Sequence, residues 1–248
     1  MERITSRKNA FIRHVRALAS DAAYRREQGE YLCDGVKTLR EALAFGAQVT
    51  SVLWKDEAQS LDGLAAEEYL APSELFDYAS PMSNSPGPLF TVRIRGCSKP
   101  GTLKNALVLE GVQDPGNVGT VIRTANAFGV GAVILTGNCA DLYHPKTVRA
   151  TMGAIFRQQV LAIETAYLAD FLRDQSLPLY GAALSGSARD IRDCALGHAA
   201  VAIGSEGRGL SEQLLSMCEG KIIIPMQPDS ESLNAAVAAA VVMWEMGR

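Results

Sequence analysis

Short apolar segments alternate with segments of helical spacing through the second part of the chain. The apolar segments are almost continuously hydrophobic, which predicts strands buried on both faces: ALVLEGV, AVILTG, PLYGAAL, AAVAIGS and KIIIPM. Strands of this kind, separated by helices, are typical of a parallel sheet covered by helices on both faces. The pattern therefore predicts an α/β fold with a parallel sheet.

The first third of the chain has a different pattern. Residues 7–45 mix charged and apolar positions at helical spacing around EYLCDG, which predicts a helix, a short strand and a helix that ends at Gly46. VTSVLW and LFTVRIR predict strands, and PSELFDYA predicts a short helix. We expect a small α/β domain over residues 1–96, a boundary in the loop-like segment of residues 96–104, and a second domain over residues 104–248.

The last segment, SLNAAVAAAVVMWEMGR, predicts a helix that Ser232 is able to cap. It is apolar almost all round from Ala235 to Met246, so most of its surface has to be buried. Burial within one subunit and burial at a dimer interface both fit this pattern.

Charge is distributed unevenly along the 248 residues. The formal net charge is -3, which argues against a protein that binds nucleic acid over its whole surface. Residues 1–26, however, hold seven basic residues against two acidic ones. This local surplus fits either a solvated helix face or a surface that contacts phosphates.

Cysteine spacing and the N-terminal sequence argue against a disulfide-rich, zinc-binding, secreted or membrane protein. The five cysteines are far apart and never spaced as CxxC, so neither a disulfide framework nor a zinc site is indicated. The N-terminus lacks the apolar run of a signal peptide, and no charge-free stretch has the length of a membrane span. We expect a soluble, cytoplasmic protein without a metal.

Polar residues follow three of the predicted strands, where open α/β sheets place their ligands. In the first loop, GVQDPGNVGTVIRTANAFG, Gly116 and Gly119 permit a tight turn and Asn117 can cap the following helix. Arg123 would then lie in the first or second turn of that helix. A lone helical arginine is usually solvated or salt-bridged, so this position alone does not establish a site.

The second and third loops, GSEGRGL and IPMQPDSESLN, carry the other candidates. GSEGRGL lacks the ending of a phosphate-binding P-loop, and Glu206 could instead hold an arginine, an asparagine or a ribose hydroxyl. Ser232 and Asn234 offer a hydroxyl and an amide at the start of the last helix, where an ordinary N-cap is the default interpretation.

Taken together, the three loops resemble the SpoU/TrmH family within the SPOUT class of RNA methyltransferases. The matching segments are DPGNVGTVIRTANAFG, IGSEGRGL and IIIPMQPDSESLN, in the family's order. HPKTVRATMGAIF also resembles the segment between the first two motifs, with Thr151 where serine is more usual. The segment ITSRKNAFIRHVRALAS looks like the start of the small substrate-binding domain of many ribosomal-RNA members, which favours ribosomal RNA over transfer RNA.

The resemblance implies a parallel α/β sheet whose C-terminal segments form a trefoil knot. It implies S-adenosylmethionine as methyl donor, held largely by main-chain groups in the knotted loops, and an RNA ribose 2′-hydroxyl as acceptor. The positions that match the family's cofactor contacts are Gly204, Ile224 and Leu233, and Met226 lies beside them in the third motif.

Arg123 is the catalytic residue that the resemblance implies. A guanidinium holds its proton too tightly to act readily as a base, so Arg123 is better suited to stabilise the alkoxide or to position a phosphate that takes the proton. Asn117 and Glu206 are expected to orient Arg123 and the loops, and Ser232 and Asn234 to line the ribose or cofactor pocket. The resemblance also implies a homodimer with its sites at the interface.

Three alternatives remain at this point. Transfer RNA is an alternative substrate for the same chemistry. A non-catalytic RNA-binding or ribosome-assembly protein would need the basic N-terminal part but no cofactor pocket. A nucleotide-dependent oxidoreductase would need GxGxxG after the first strand, which the sequence lacks.

Overall fold

The structure, a computed structural model, describes residues 1–96, 100–183, 186, 188–227 and 232–248. The chain forms two compact units. The first unit comprises Met1–Gly96 and Asp141–Phe156, and the second comprises Cys97–Ala140 and Arg157–Arg248.

The first unit contains five described strands and their helices. They are β1 (Glu2–Arg3), α1 (Ala10–Ser20), α2 (Ala22–Gln28), β2 (Glu30–Asp34), α3 (Val36–Ala44), β3 (Val49–Lys55), β4 (Glu67–Ala71), α4 (Ser73–Ala79) and β5 (Leu89–Arg93). The strand order is β1-β4-β3-β5-β2, with β5 antiparallel to both of its neighbours. One apolar core packs around Ile12, Leu53 and Phe76, and another around Trp54 and Phe90.

The predicted helix, strand and helix of residues 7–45 are confirmed, except that two helices, α1 and α2, take the place of the first predicted helix. Asp21 separates them because its carboxylate accepts hydrogen bonds from the backbone of Ala23 and Tyr24 and so begins a new helix. Gly46 ends α3 as predicted: it has φ of 63° and donates to the carbonyl of Leu43. Strand β4 was not predicted, since EEYLA reads as polar.

Residues 141–156 belong to the first unit, although the predicted division placed them in the second domain. This segment forms α6 (Pro145–Ala150) and a 3-10 helix, and Val148 and Phe156 are buried in the first unit's core. The buried Arg25 binds Asp141 at 2.6 Å. One of the seven basic residues among residues 1–26 therefore neutralises the carboxylate of Asp141.

The second unit is built on parallel strands. Its elements are β6 (Ala106–Glu110), α5 (Pro115–Phe128), β7 (Ala132–Thr136), β8 (Val160–Ala162), α7 (Thr165–Asp174), β9 (Leu179–Ala182), β10 (Arg189–Asp190), β11 (Ala200–Ile203), α8 (Glu212–Met217), β12 (Gly220–Ile223) and α9 (Ala235–Met246). The described strands pair in the order β10-β12-β9-β11-β6-β7-β8, and every pair is parallel. The predicted α/β fold with a parallel sheet is confirmed, as are the five predicted strands.

The two helices next to the candidate loops begin differently from the prediction. Asp114 caps α5 by accepting from the backbone N–H of Asn117, and Pro115 occupies the first helical position. Gly116 and Gly119 therefore lie inside the helix, not in a turn, and Arg123 is in its third turn.

Asn234, rather than Ser232, caps α9, because its side-chain oxygen accepts from the backbone of Ala236 and Val237. Parts of two predicted loops, residues 97–99 and 228–231, lie outside the described residues. None of the described helices is long and apolar enough to cross a membrane.

Candidate functional site

A cleft of about 590 Å³ opens at the carboxyl ends of β6, β7 and β11. In the sheet, β6 lies between β7 and β11. The chain runs from β6 to β7 and β8 on one side, and the later strands lie on the other side, so the cleft is where the strand order reverses. This is the usual ligand position in open α/β sheets. The lining residues come from three loops and the start of α5: Glu110, Gly111, Val112, Gln113, Asp114, Asn117, Gly137, Asn138, Ser205, Glu206, Arg208, Gly209, Leu210 and Ser211.

Glu206 is the centre of a hydrogen-bond network at one wall of this cleft. Its Oε1 accepts from Nδ2 of Asn117 at 3.0 Å, from Nδ2 of Asn234 at 2.7 Å and from the backbone N–H of Ala235 at 3.2 Å. Asn234 also donates to Oδ1 of Asn117 at 3.2 Å. The carboxylate thus joins the starts of α5 and α9 and lies at the positive end of the α9 dipole.

Glu110 holds the C-terminal end of the loop of residues 205–211, and Glu206 lies near the start of this loop. Glu110 terminates β6, is largely buried, and accepts from the backbone N–H of Ser211 at 2.7 Å and from its hydroxyl at 2.6 Å. Ser211 in turn caps α8. Residues 205–211 are therefore held by one carboxylate at each end, which orders the loop before any ligand binds.

Gly204 stands where two stretches of backbone pass very close together. A Cβ placed on it would lie 2.1 Å from the carbonyl group of Gly209 and 2.4 Å from the nitrogen of Leu210. Gly209 also donates to the carbonyl of Ser205, which closes the loop as a tight hairpin. Only glycine fits at position 204 in this conformation.

The structure brings together Asn117, Glu206 and Asn234 but leaves Arg123 apart. Arg123 is exposed, does not line the cleft, and makes no hydrogen bond or ion pair with any described residue. The predicted role of Asn117 and Glu206 in orienting Arg123 is therefore not borne out by contacts within one chain. They orient Asn234 and the two helix starts instead.

The other predicted residues are not among those that line the cleft. Gly204 directly follows β11 and Ile224 directly follows β12, and both are partly buried. Met226 and Leu233 are also partly buried, whereas Ser232 is exposed. These residues lie on either side of residues 228–231, which are outside the described part of the chain.

Sequence reasoning missed several residues of the cleft, in particular Glu110, Gly137, Asn138 and Arg208. The rule that strand ends carry ligands, applied to AVILTGN as to the other strands, would have identified Gly137 and Asn138. Burial raises the pKa of the neighbouring Cys139 thiol, so this side chain stays protonated at neutral pH. It packs beside the cleft as a neutral group.

The lining is rich in hydrogen-bond acceptors and in negative charge. Glu110, Asp114 and Glu206 supply carboxylates, and Arg208 supplies a guanidinium. Such a cleft suits a ligand with hydroxyl groups, a positive charge and one anionic end.

The match to a protein family shows to which class of protein this cleft belongs. Residues 104–244 match the model of the SpoU rRNA Methylase family, which covers the cleft and both helices that meet at Glu206. The chain belongs to the SpoU rRNA Methylase family. The resemblance seen in the three motifs is confirmed, and the protein is an RNA methyltransferase by descent.

Two relatives of this SpoU protein match it over nearly its whole length. It is 30% identical to the 23S rRNA (guanosine(2553)-2′-O)-methyltransferase RlmP of Bacillus subtilis, over 99% of each chain. It is 32% identical to an uncharacterized tRNA/rRNA methyltransferase of Synechocystis sp., over 99% of this chain and 93% of the relative. The SpoU methyltransferase AviRb from Streptomyces viridochromogenes, crystallised with the cofactor AdoMet, has a TM-score of 0.87 and 25% identity over 96% of this chain and 98% of that chain.

The Glu206 network makes a stability prediction for this SpoU protein. Glu206→Ala removes the acceptor shared by Asn117, Asn234 and Ala235, and we expect it to lower the free energy of unfolding by about 1 kcal/mol. Glu206→Gln keeps an oxygen in the same place and is expected to stay within about 0.5 kcal/mol of the wild type. Urea unfolding of both variants measures this, and an equal loss in both would mean that the charge, not the hydrogen bonds, stabilises the loop.

Proposed function

We propose that this protein transfers a methyl group from S-adenosylmethionine to a ribose 2′-hydroxyl of ribosomal RNA. The observation that carries the proposal is the full-length similarity to a 23S rRNA 2′-O-methyltransferase, which extends through both units of the chain. A relative that shared only the methyltransferase part would say nothing about the substrate. Similarity in the first unit as well supports a shared class of RNA.

The cleft fits S-adenosylmethionine by its donor and acceptor set. The carboxylates of Glu110, Asp114 and Glu206 suit the ribose hydroxyls, the ammonium group and the positive sulfonium, while Arg208 suits the carboxylate. The close backbone passage at Gly204 supports the expected binding by main-chain groups. Gly204, Ile224, Met226 and Leu233 do not line this cleft, and they are proposed as further contacts to the adenosine and methionine parts from their places in the family's motifs.

When bound, S-adenosylmethionine supplies a methyl group on a sulfonium, which is a good leaving group. The residues of this chain would then have to hold the ribose hydroxyl at that methyl group and assist the loss of its proton. Arg123 is the proposed group for this step, because its permanent charge stabilises the forming alkoxide or holds a phosphate that takes the proton. Ser232 and Asn234 are proposed to face the ribose or the cofactor.

A homodimer is proposed as the active form. The second unit exposes Phe128 (41% exposed), Val237 (49%) and Trp244 (61%) on α5 and α9, and Phe128 contacts Trp244 edge-on with ring centroids 5.9 Å apart. Large apolar side chains exposed together mark an interaction surface. A site at such an interface also accounts for Arg123, which makes no hydrogen bond or ion pair with a described residue of its own chain.

The dimer proposal predicts the effect of one substitution. Trp244→Glu is expected to convert a dimer into a monomer in sedimentation velocity, because a charge cannot be buried unpaired in an apolar interface. Tyr167→Glu is the matched control, since Tyr167 is equally exposed (64%) but lies on α7. A wild-type protein that sediments as a monomer, or a Trp244→Glu variant that stays dimeric, would contradict the proposed interface.

The remaining expectations follow the same proposal. A trefoil knot in the C-terminal segments is supported by the family match. Transfer RNA stays the alternative substrate, because one full-length relative carries both RNA classes in its name. The cytoplasm is the proposed location, as ribosomal RNA is processed there in bacteria.

The substrate class is tested by methyl transfer from labelled S-adenosylmethionine to purified ribosomal RNA and transfer RNA in separate reactions. We expect label in ribosomal RNA. Label in transfer RNA alone would overturn the ribosomal assignment. Cofactor binding without transfer to either RNA would favour a binding role over catalysis.

A further inference from the structure

Two arginines of the first unit share one tyrosine ring. Tyr78, in α4, is partly exposed, and the guanidinium carbons of Arg7 and Arg16 lie 4.5 Å and 4.1 Å from the centre of its ring. Arg16 belongs to α1, and Arg7 lies in the segment just before it. We call these three residues the Tyr78 surface.

Each guanidinium is held in place by one hydrogen bond. Arg7 donates to Oε1 of Glu74 at 2.9 Å, and Arg16 donates to the backbone carbonyl of Tyr78 at 2.9 Å. A guanidinium has five N–H donors, and no other hydrogen bond joins either one to a described residue. Two oriented cations thus keep most of their donors for a ligand.

The N-terminal segment that carries Arg7 and Arg16 holds more basic than acidic residues. Arg3, Lys8 and Arg13 are exposed in the same N-terminal segment, whereas the buried Arg25 is neutralised by Asp141. Glu74 offsets the charge of Arg7, whereas Arg16 is bound only to a neutral carbonyl, so the two guanidiniums keep a net positive charge beside the ring. Stacking on tyrosine also removes side-chain freedom beforehand, which lowers the entropic cost of binding.

We propose that the Tyr78 surface binds backbone phosphates of the RNA substrate. The proposal rests on the proposed RNA methyltransferase function and adds the surface of the first unit that holds the substrate. Planar guanidiniums stacked on an aromatic ring present parallel N–H donors, which match two oxygens of a phosphate. RNA is favoured over a protein partner because phosphate contacts by arginine supply most nucleic-acid affinity and need no apolar patch.

The test is a double variant, Arg7→Ala with Arg16→Ala, assayed for RNA affinity by fluorescence anisotropy at several salt concentrations. We expect the slope of log affinity against log salt to fall by about 1.5, corresponding to two lost phosphate contacts. In methyl transfer, KM for RNA should rise on the order of tenfold at moderate salt with kcat unchanged. Arg173→Ala is the matched control, because Arg173 is also exposed and paired with an acidic residue, Asp170, but lies in the second unit.

Two further variants separate the ring from the charges. Tyr78→Phe keeps the stacking and should bind RNA as the wild type does, whereas Tyr78→Leu should weaken binding in the same direction as the double variant. Circular dichroism melting shows whether each variant is folded. An unchanged salt slope and KM in a folded double variant, or the same loss in Arg173→Ala, would overturn the proposal.

The outcomes are distinguishable from failure of the proposed function. A protein that transfers no methyl group to any RNA contradicts the function, while the salt slope of RNA binding still tests the Tyr78 surface. Loss of affinity for anionic lipid vesicles with RNA affinity intact would assign the surface to a membrane instead.

Discussion

Replacing Arg123 by alanine is expected to lower kcat for methyl transfer by about two to four orders of magnitude while cofactor affinity stays unchanged. A preorganised charge at the developing alkoxide is worth about this much in enzymes that use one. Arg123 does not line the cleft proposed to hold the cofactor, so its loss should leave cofactor binding intact. Stability should change by no more than about 0.5 kcal/mol, because Arg123 is exposed and makes no described contact that the variant would break.

Single-turnover methyl transfer and cofactor titration by calorimetry measure these two quantities. Arg173→Ala is the control for loss of an exposed arginine in the same unit. Arg123→Lys should remain impaired, since an ammonium cannot reproduce the planar, paired donors of a guanidinium. A kcat within tenfold of the wild type in Arg123→Ala would remove Arg123 from the mechanism.

Gly204→Ala is expected to destabilise the second unit by about 3 kcal/mol and to abolish cofactor binding. The new Cβ would lie 2.1 Å from the main chain of Gly209, so the loop of residues 205–211 has to move. Overpacking against backbone costs about 1–3 kcal/mol, and more when the neighbour cannot yield. Here the loop of residues 205–211 cannot move easily, because Glu110 binds Ser211 and Glu206 binds Asn234 at the start of α9.

Gly101→Ala provides the matched control, because Gly101 is exposed and a Cβ on it would meet nothing within 4 Å. It should unfold in urea within about 0.5 kcal/mol of the wild type and bind cofactor normally. If Gly204→Ala retained both wild-type stability and cofactor affinity, the close passage of the two backbone segments would be wrong.

Local patterns predicted the elements because their information lies within a few residues. The continuous hydrophobic runs that form β6, β7, β9, β11 and β12 follow from burial on both faces of a parallel sheet. Asn117, Glu206 and Asn234 were predicted to share a site from their positions at strand ends, and their hydrogen bonds bring them together. An asparagine partner for Glu206 was one of the alternatives that the loop sequence left open, and the local pattern could not decide between an asparagine and Arg123.

The errors arose where contacts over long sequence distances decide the structure. Residues 141–156 follow β7 in sequence, yet Val148 and Phe156 are buried in the core of the first unit. At the start of α5, both Asp114 and Asn117 are good capping residues, and Pro115 decides between them because its fixed φ suits the first helical position. At α9, Glu206 binds Asn234 across 28 residues and so favours it as the cap over Ser232.

The chemical position of the transferred methyl group is the strictest test of the proposed ribose 2′-O-methylation. RNA labelled by the protein with radioactive S-adenosylmethionine is hydrolysed completely in alkali, which cleaves every phosphodiester next to a free 2′-hydroxyl. We expect label in alkali-resistant dinucleotides, because a 2′-O-methyl group prevents cleavage at that position. Label in mononucleotides would mean that the methyl group is on a base, and would contradict ribose 2′-O-methylation.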